Sequence, residues 1–308
     1  MPSGAEPPGA EQAGAEQAGA EQAGGTEFVL ILSCPDRPGI VHAVAAYLHE
    51  AGCNILDSQQ FADRIAARFF MRVHVETAVA DGGAALRAGF GPVASGFGMD
   101  WDLHDLAVRP RVLIMVSREG HCLNDLLYRR SAQALAIDVP LVVGNHPDLG
   151  PLAVAHGVPF EHVPAGGGAL ERDRAEGRVL ELIGEHRIDL VVLARYMKIL
   201  SPEACAKLAG RIINIHHSFL PSFRGARPYH QAHDYGVKVI GATAHYVTAE
   251  LDEGPIIEQE VERVDHTCGP AELAAIGRDA ERVALARAVR WHAEHRILLH
   301  GRRTVIFR

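Results

Sequence analysis

The sequence predicts an α/β chain in two domains, the second built on a mostly parallel sheet with helices on both faces. Three observations predict this. A length of 308 residues exceeds the size at which one core usually keeps growing. A strand, helix, strand, strand order is legible between residues 26 and 75. Beyond residue 110, strand-like apolar runs alternate with helical stretches, the pattern of a parallel sheet covered on both sides.

Residues 1–25 read as a tail. Gly-Ala-Glu-Gln-Ala recurs with small variations from residue 4 to 24, and a tract without large apolar side chains cannot offset the entropy of ordering, so disorder is expected. Ala, Glu and Gln favour helix, but the regular glycines oppose it. The first domain is placed at residues 26–106. Phe28 to Leu32 form a strand-like run, followed by the turn Cys34-Pro35-Asp36-Arg37-Pro38-Gly39. Asp36 is expected to cap the next helix with Pro38 in its first turn; Ile40, Val44 and Leu48 share one helical face, and Gly52 closes it. A strand over residues 54–61 follows. Phe69, Met71, Val73 and Val75 then alternate with Phe70, Arg72 and His74, which predicts a strand with two different faces. Leu86 and Phe90 mark a second helix, and a last strand falls near Trp101.

The second domain is placed at residues 110–308. Its strands are expected at residues 112–116, 140–144, 190–194, 212–215 and 237–244, with a helix over 170–186. A ligand crevice belongs at the C-terminal ends of such strands. If residues 212–216 are extended, Asn214 and His216 project from one face and Ile213 and Ile215 from the other. Residues 241–247 read as another strand leading into Leu251-Asp252-Glu253-Gly254-Pro255, which puts Asp252 on a loop. A carboxamide, an imidazole and a carboxylate suit acyl chemistry. Asn donates a hydrogen bond to an oxygen becoming negative, His moves protons near neutral pH, and Asp orients the imidazole or holds a water. Taken singly, a strand histidine is more often structural, and Asp-x-Gly-Pro is good turn chemistry.

Thirty basic against 38 acidic side chains give a net charge of -8, which supplies no attraction to nucleic acid or an anionic membrane. The five cysteines, Cys34, Cys53, Cys122, Cys205 and Cys268, never pair as C-x-x-C, which opposes a disulfide framework or a thiolate zinc site. His216, His217, His230, His233 and His245 invite a metal hypothesis, but no H-E-x-x-H pattern supports it, and no metal is expected. Without a signal-peptide pattern or a long apolar run, a cytoplasmic protein with no membrane partner is expected.

Asn214-x-His216 followed by Ser218-x-Leu220-Pro221-x-Phe223-x-Gly225, with the later His245 and Asp252-x-Gly254-Pro255-Ile256, resembles the formyltetrahydrofolate-dependent formyltransferase family over roughly residues 111–260. The resemblance implies a Rossmann-like formyltransferase domain whose catalytic set is Asn214, His216 and Asp252. It also implies a folate pocket bordered by Met197, Lys198, Ile199, Leu200, His245 and Val247. No glycine-rich phosphate loop follows the first strand of this domain, where Ser117 leads into Arg118-Glu119-Gly120-His121-Cys122. The His121 to Leu127 element, Gly144-Asn145-His146, Ala194-Arg195-Tyr196-Met197 and Gly225 to Ala232 are similar to the formyltetrahydrofolate deformylase branch. That branch carries an N-terminal ferredoxin-like ACT domain (βαββαβ), as the Asp36 to Ile40 turn suggests.

The resemblance therefore implies hydrolysis of 10-formyltetrahydrofolate to tetrahydrofolate and formate, with the folate as substrate and no cofactor. It further implies a role in the one-carbon pool and in formate supply for purine synthesis. A small effector such as an amino acid is implied at Asp36, Gly39, Ile40, Asn54 and Ile55, together with a homo-oligomer. Whether His216 or Asp252 is the general base stays open, since a coupled pair shares its titration. The alternatives are formyl transfer to a small amine and a ligand-binding regulator without turnover.

Overall fold

The computed structural model describes residues 25–78, 82–220 and 228–308. The Gly-Ala-Glu-Gln tract and the Pro221 to Arg227 part of the sequence motif lie outside the described residues.

The N-terminal unit runs β1 (Thr26–Pro35), α1 (Ile40–Glu50), β2 (Cys53–Asp63), β3 (Arg68–Thr77), α2 (Gly82–Phe97) and β4 (Asp100–Asp105). Its strands pair antiparallel in the order β2-β3-β1-β4. Ile40, Val44 and Leu48 of α1 and Leu86 and Phe90 of α2 pack on Phe28, Leu30, Leu32, Met71 and Val73 of the sheet, which is how the helical periodicity is used. One expectation fails here. Asp36 does not cap α1: Gly39, at φ +96°, occupies the cap position without a side-chain bond, and the Asp36 amide donates to Ala67 O. The Pro38-Gly39 step needs a left-handed residue, which glycine adopts freely, and it delays the helix to Ile40.

The alternation along β3 also has an unexpected outcome, because both faces are covered: Phe70 is fully buried and Arg72 is 3% exposed. The helix-free face of this sheet docks on the C-terminal hairpin, β12 (Ile297–His300) and β13 (Arg303–Ile306). Phe70 packs with Leu298 and Phe307. Arg72 donates to the carbonyls of Glu294 and His295 at 3.1 and 3.2 Å, just past the end of a long helix, where the helix dipole favours a cation. No alternating apolar pattern after residue 270 predicts these two short strands, so the docking is a feature of the fold and not of the local sequence.

The second unit contains β5 (Arg111–Val116), α3 (His121–Ser131), β6 (Asp138–Gly144), α4 (Gly150–Ala155), β7 (Phe160–His162), α5 (Ala169–Glu185) and β8 (Leu190–Leu193). It continues with α6 (Pro202–Lys207), β9 (Ile212–His216), α7 (Pro228–Asp234), β10 (Val239–Tyr246), β11 (Ile256–Arg263) and α8 (Pro270–Ala293). The sheet order is β11-β10-β9-β8-β5-β6-β7. Pairings from β7 to β9 are parallel, and β10 and β11 add antiparallel.

Residues of α3 and α8 bury one face, against Ile114, Val192, Ile213 and Ile215; α5 buries the other, against Leu113, Met115, Leu193 and Ile212. The chain winds outward from β5 through β7, then crosses to β8 on the other side of β5. This is a topological switch point, and the crevice beyond the C-terminal ends of β5 and β8 is where such sheets bind ligands. Among the described residues, no helix is long and apolar enough to cross a membrane.

Candidate active site

A cavity of about 370 Å³, within the range of small-molecule sites, opens at the C-terminal ends of β8 and β9. Strand β9 places its polar pair as the alternation requires. Ile213 and Ile215 lie in the core under α3 and α8, and Asn214 and His216 line the cavity. Antiparallel pairing with β10 sets His245 opposite Asn214.

The loop after β10 brings in Asp252, whose Oδ1 lies 3.3 Å from His216 Nδ1. Asp252 adopts φ +57°, a left-handed conformation that Asp and Asn tolerate better than most residues. The loop is pinned where Tyr246 N donates to Pro255 O at 2.9 Å. Gly254 permits this close pass: a Cβ there would sit 1.7 Å from Tyr246 O.

The electrostatics follow from the partners. The hydrogen bond from His216 holds the Asp252 carboxyl below the usual carboxylate range, against the opposing effect of burial. His245 Nδ1 faces the Tyr246 carbonyl at 2.9 Å, so that nitrogen carries the proton and Nε2 accepts from Asn214 Nδ2 at 3.3 Å. Burial also lowers the His245 pKa, consistent with a neutral ring. Asn214 is thus fixed by one N–H while its second remains for a ligand. His217, stacked on His216 with ring centroids 5.0 Å apart, is pushed down to about 4 by burial, then by Arg195 and His216.

All nine residues expected for catalysis and folate contact meet here: Asn214, His216 and Asp252, with Met197, Lys198, Ile199, Leu200, His245 and Val247, line one cavity. His245 is 2% exposed and engages Asn214, so its observed contact is with a neighbouring site residue. Met197 N donates to Oγ of Ser117, the residue just after β5, at 2.9 Å.

The expected effector residues do not converge in one chain. Asp36 and Gly39 follow the end of β1, whereas Asn54 aligns through Glu76 with Glu27 at its start. That is about 30 Å away along the strand. Ile40 is core, Ile55 is exposed, and Asn54 Nδ2 donates to Glu76 Oε1.

Behind the cavity lies a network that sequence reasoning missed. Glu281 of α8, 1% exposed, accepts from His121 Nε2 at 2.7 Å and from Tyr229 Oη at 2.9 Å, and Arg195 Nε stands 3.3 Å away. Burial raises its pKa, but the His121 hydrogen bond, the Arg195 charge and the other partners outweigh this and leave it below the usual range. A signal existed in the sequence, since Glu281 interrupts an otherwise small and apolar face with Gly277, Ala284 and Ala288. His121, Cys122 and Glu281 have metal-ligand spacing. A guanidinium at 3.3 Å and a carboxylate already accepting two hydrogen bonds oppose a cation there.

Comparison with known proteins agrees with this architecture. The Formyl transferase family model matches residues 110–289 and the ACT domain model residues 28–85. The chain is 50% identical over 281 residues to a formyltetrahydrofolate deformylase of Corynebacterium sp. (strain P-1), covering 91% of this chain and 98% of that protein. It is 45% identical to one of Bacillus subtilis (strain 168), covering 90% and 93%. A crystal structure of formyltetrahydrofolate deformylase from Burkholderia mallei superposes with a TM-score of 0.87 at 51% identity, covering 92% of this chain and all of that one.

Proposed function

Because the chain belongs to the formyltetrahydrofolate deformylase family, we propose that the cavity beyond β8 and β9 is where it works, with Asn214, His216 and Asp252 acting on the formyl carbon. The protein is a hydrolase: it converts 10-formyltetrahydrofolate and water to tetrahydrofolate and formate. Transfer of the formyl group to a small amine, the alternative reading, is not favoured by these relatives.

The observation that carries the site assignment is the meeting of the three side chains, distant in sequence, at one crevice wall. Water adds to the formyl carbon and gives its proton to the coupled Asp252 and His216 pair. The formyl oxygen, now negative, is held by the free N–H of Asn214 and by His216. The carbon–nitrogen bond then breaks, and the departing folate nitrogen takes the proton back. Met197, Ile199, Leu200 and Val247 supply apolar walls for the pterin, and Lys198 a charge at the rim. Formate release from 10-formyltetrahydrofolate with no amine present tests the function; strict dependence on an amine would refute it.

The ACT domain fits a small-molecule effector, such as an amino acid. Residues at opposite ends of its sheet fit a site completed by a second copy of the chain, hence a homo-oligomer. The biological role proposed is adjustment of the one-carbon pool and formate supply for purine synthesis.

A further inference from the structure

Arg195 is an unusual residue for its position. It follows β8 by two residues, adopts φ +63° without being glycine, and lines the cavity with Asn214 and His216. Its side chain is 14% exposed. Among the described residues, Nη1 is buried and has no hydrogen-bond partner, while Nε, also buried, is ion-paired with Glu281 at 3.3 Å outside hydrogen-bond geometry. A strained backbone and an unpaired buried Nη1 are both costly, and such costs persist mainly at functional sites.

The guanidinium is nonetheless built in. Glu281 holds it from behind and is itself fixed by His121 and Tyr229. Gly277, one turn earlier on α8, makes room for that arrangement, since a Cβ there would lie 2.0 Å from Tyr229 Oη.

The reaction supplies a reason for a cation here. Formyl transfer to an amine would leave a neutral amide. Hydrolysis adds water oxygen to the formyl carbon and breaks the carbon–nitrogen bond. The folate nitrogen gains a hydrogen, and the resulting formic acid loses a proton to solvent at neutral pH. The product is a carboxylate formed beside the carboxylate of Asp252, and two like charges in a half-dry site repel. Of the described residues lining the cavity, Arg195 and Lys198 are the cations, and Arg195 is the one rooted in the buried network. From this placement we infer that Arg195 binds formate, and that Glu281 is a positioning residue that aims the guanidinium. The inference rests on the deformylase reading and extends it to the product.

The test is binding of ¹³C-formate to the full chain saturated with tetrahydrofolate, compared among wild type, Arg195→Gln, Arg195→Lys and Glu281→Gln. Arg195→Gln is expected to weaken formate by about 10-fold or more, the loss of a charge-assisted contact, while tetrahydrofolate affinity stays within about 3-fold, because Arg195 is not one of the apolar side chains assigned to the pterin. Arg195→Lys should fall between the two, and Glu281→Gln should weaken formate alone. Wild-type formate affinity in Arg195→Gln, or in Glu281→Gln should the first variant not fold, overturns the inference. So does a wild type that holds tetrahydrofolate but no formate. A wild type that binds no tetrahydrofolate would instead overturn the deformylase reading beneath it.

Discussion

His216 Nδ1 lies 3.3 Å from Asp252 Oδ1, and Asp252 reaches that point only by holding a left-handed backbone at φ +57°. The pair therefore depends on a loop conformation as much as on two side chains. Asn is the substitution that keeps the backbone preference while removing the charge.

Asn214→Ala and His216→Gln should each lower turnover by about 10²- to 10⁴-fold, the usual value of an oxyanion donor or a proton-transfer group. Thermal unfolding should remain cooperative in both variants. Steady-state rates on purified protein, paired with circular dichroism melts, check this; a fully folded variant with wild-type turnover would remove that residue from the mechanism.

Gly254→Ala should damage catalysis without touching a catalytic group. The new methyl would collide with Tyr246 O, so the loop must shift and carry Asp252 away from His216. Displacements near 1 Å can cost about 100-fold. The readout is turnover, with Gly254→Ala expected to lose about 10-fold or more while still melting as a folded protein.

A pH effect on stability follows from three histidines. Burial is the first cause that lowers His217 and His292 to about 4 and His295 to about 3. The unfolded chain binds these protons near pH 6.5 and the folded chain does not, so stability falls as pH drops from about 6.5 toward 4, by up to about 1.4 kcal/mol per unit for each group. Urea midpoints between pH 7 and 4 measure the slope. His292→Gln, which removes one titrating group, should flatten it.

Asp63 ties the two units together. It accepts from the amides of Ile65 and Ala66, from His300 Nε2 at 3.1 Å and from Arg303 Nη2 at 2.8 Å, and the Ala66 hydrogen bond is the first cause that holds its carboxyl at about 2. With the folded pKa depressed, its contribution is complete above the unfolded value near 4 and is lost as pH falls through about 2. Asp63→Asn should speed hydrogen exchange in residues 297–306 at neutral pH. Unchanged exchange there would show that the clamp contributes nothing to docking.

The legible parts of this fold are those specified locally. The alternation in residues 212–216 fixed which side of β9 Asn214 and His216 occupy, and the Asp-Glu-Gly-Pro turn put Asp252 on a loop. Helical spacing of Ile40, Val44 and Leu48 gave the buried face of α1. What stayed hidden depends on long-range packing. Arg72 reads as the polar side of a strand until the C-terminal hairpin covers it, and Glu281 pairs with His121 across 160 residues. Its helix shows an acidic residue on an apolar face but not which donors meet it. Asp36 looked like a helix cap because Asp-x-Pro-Gly satisfies that pattern, but Gly39 took the place through its positive φ.

The most direct measurement is a single turnover of 10-formyltetrahydrofolate in H₂¹⁸O, without amine, by wild type and by Asp252→Asn. The wild type should yield formate carrying one ¹⁸O, and the folded variant should form it at least ~100-fold more slowly. No formate until an amine is added, or equal rates in the two proteins, would contradict water attack at the Asn214, His216 and Asp252 site.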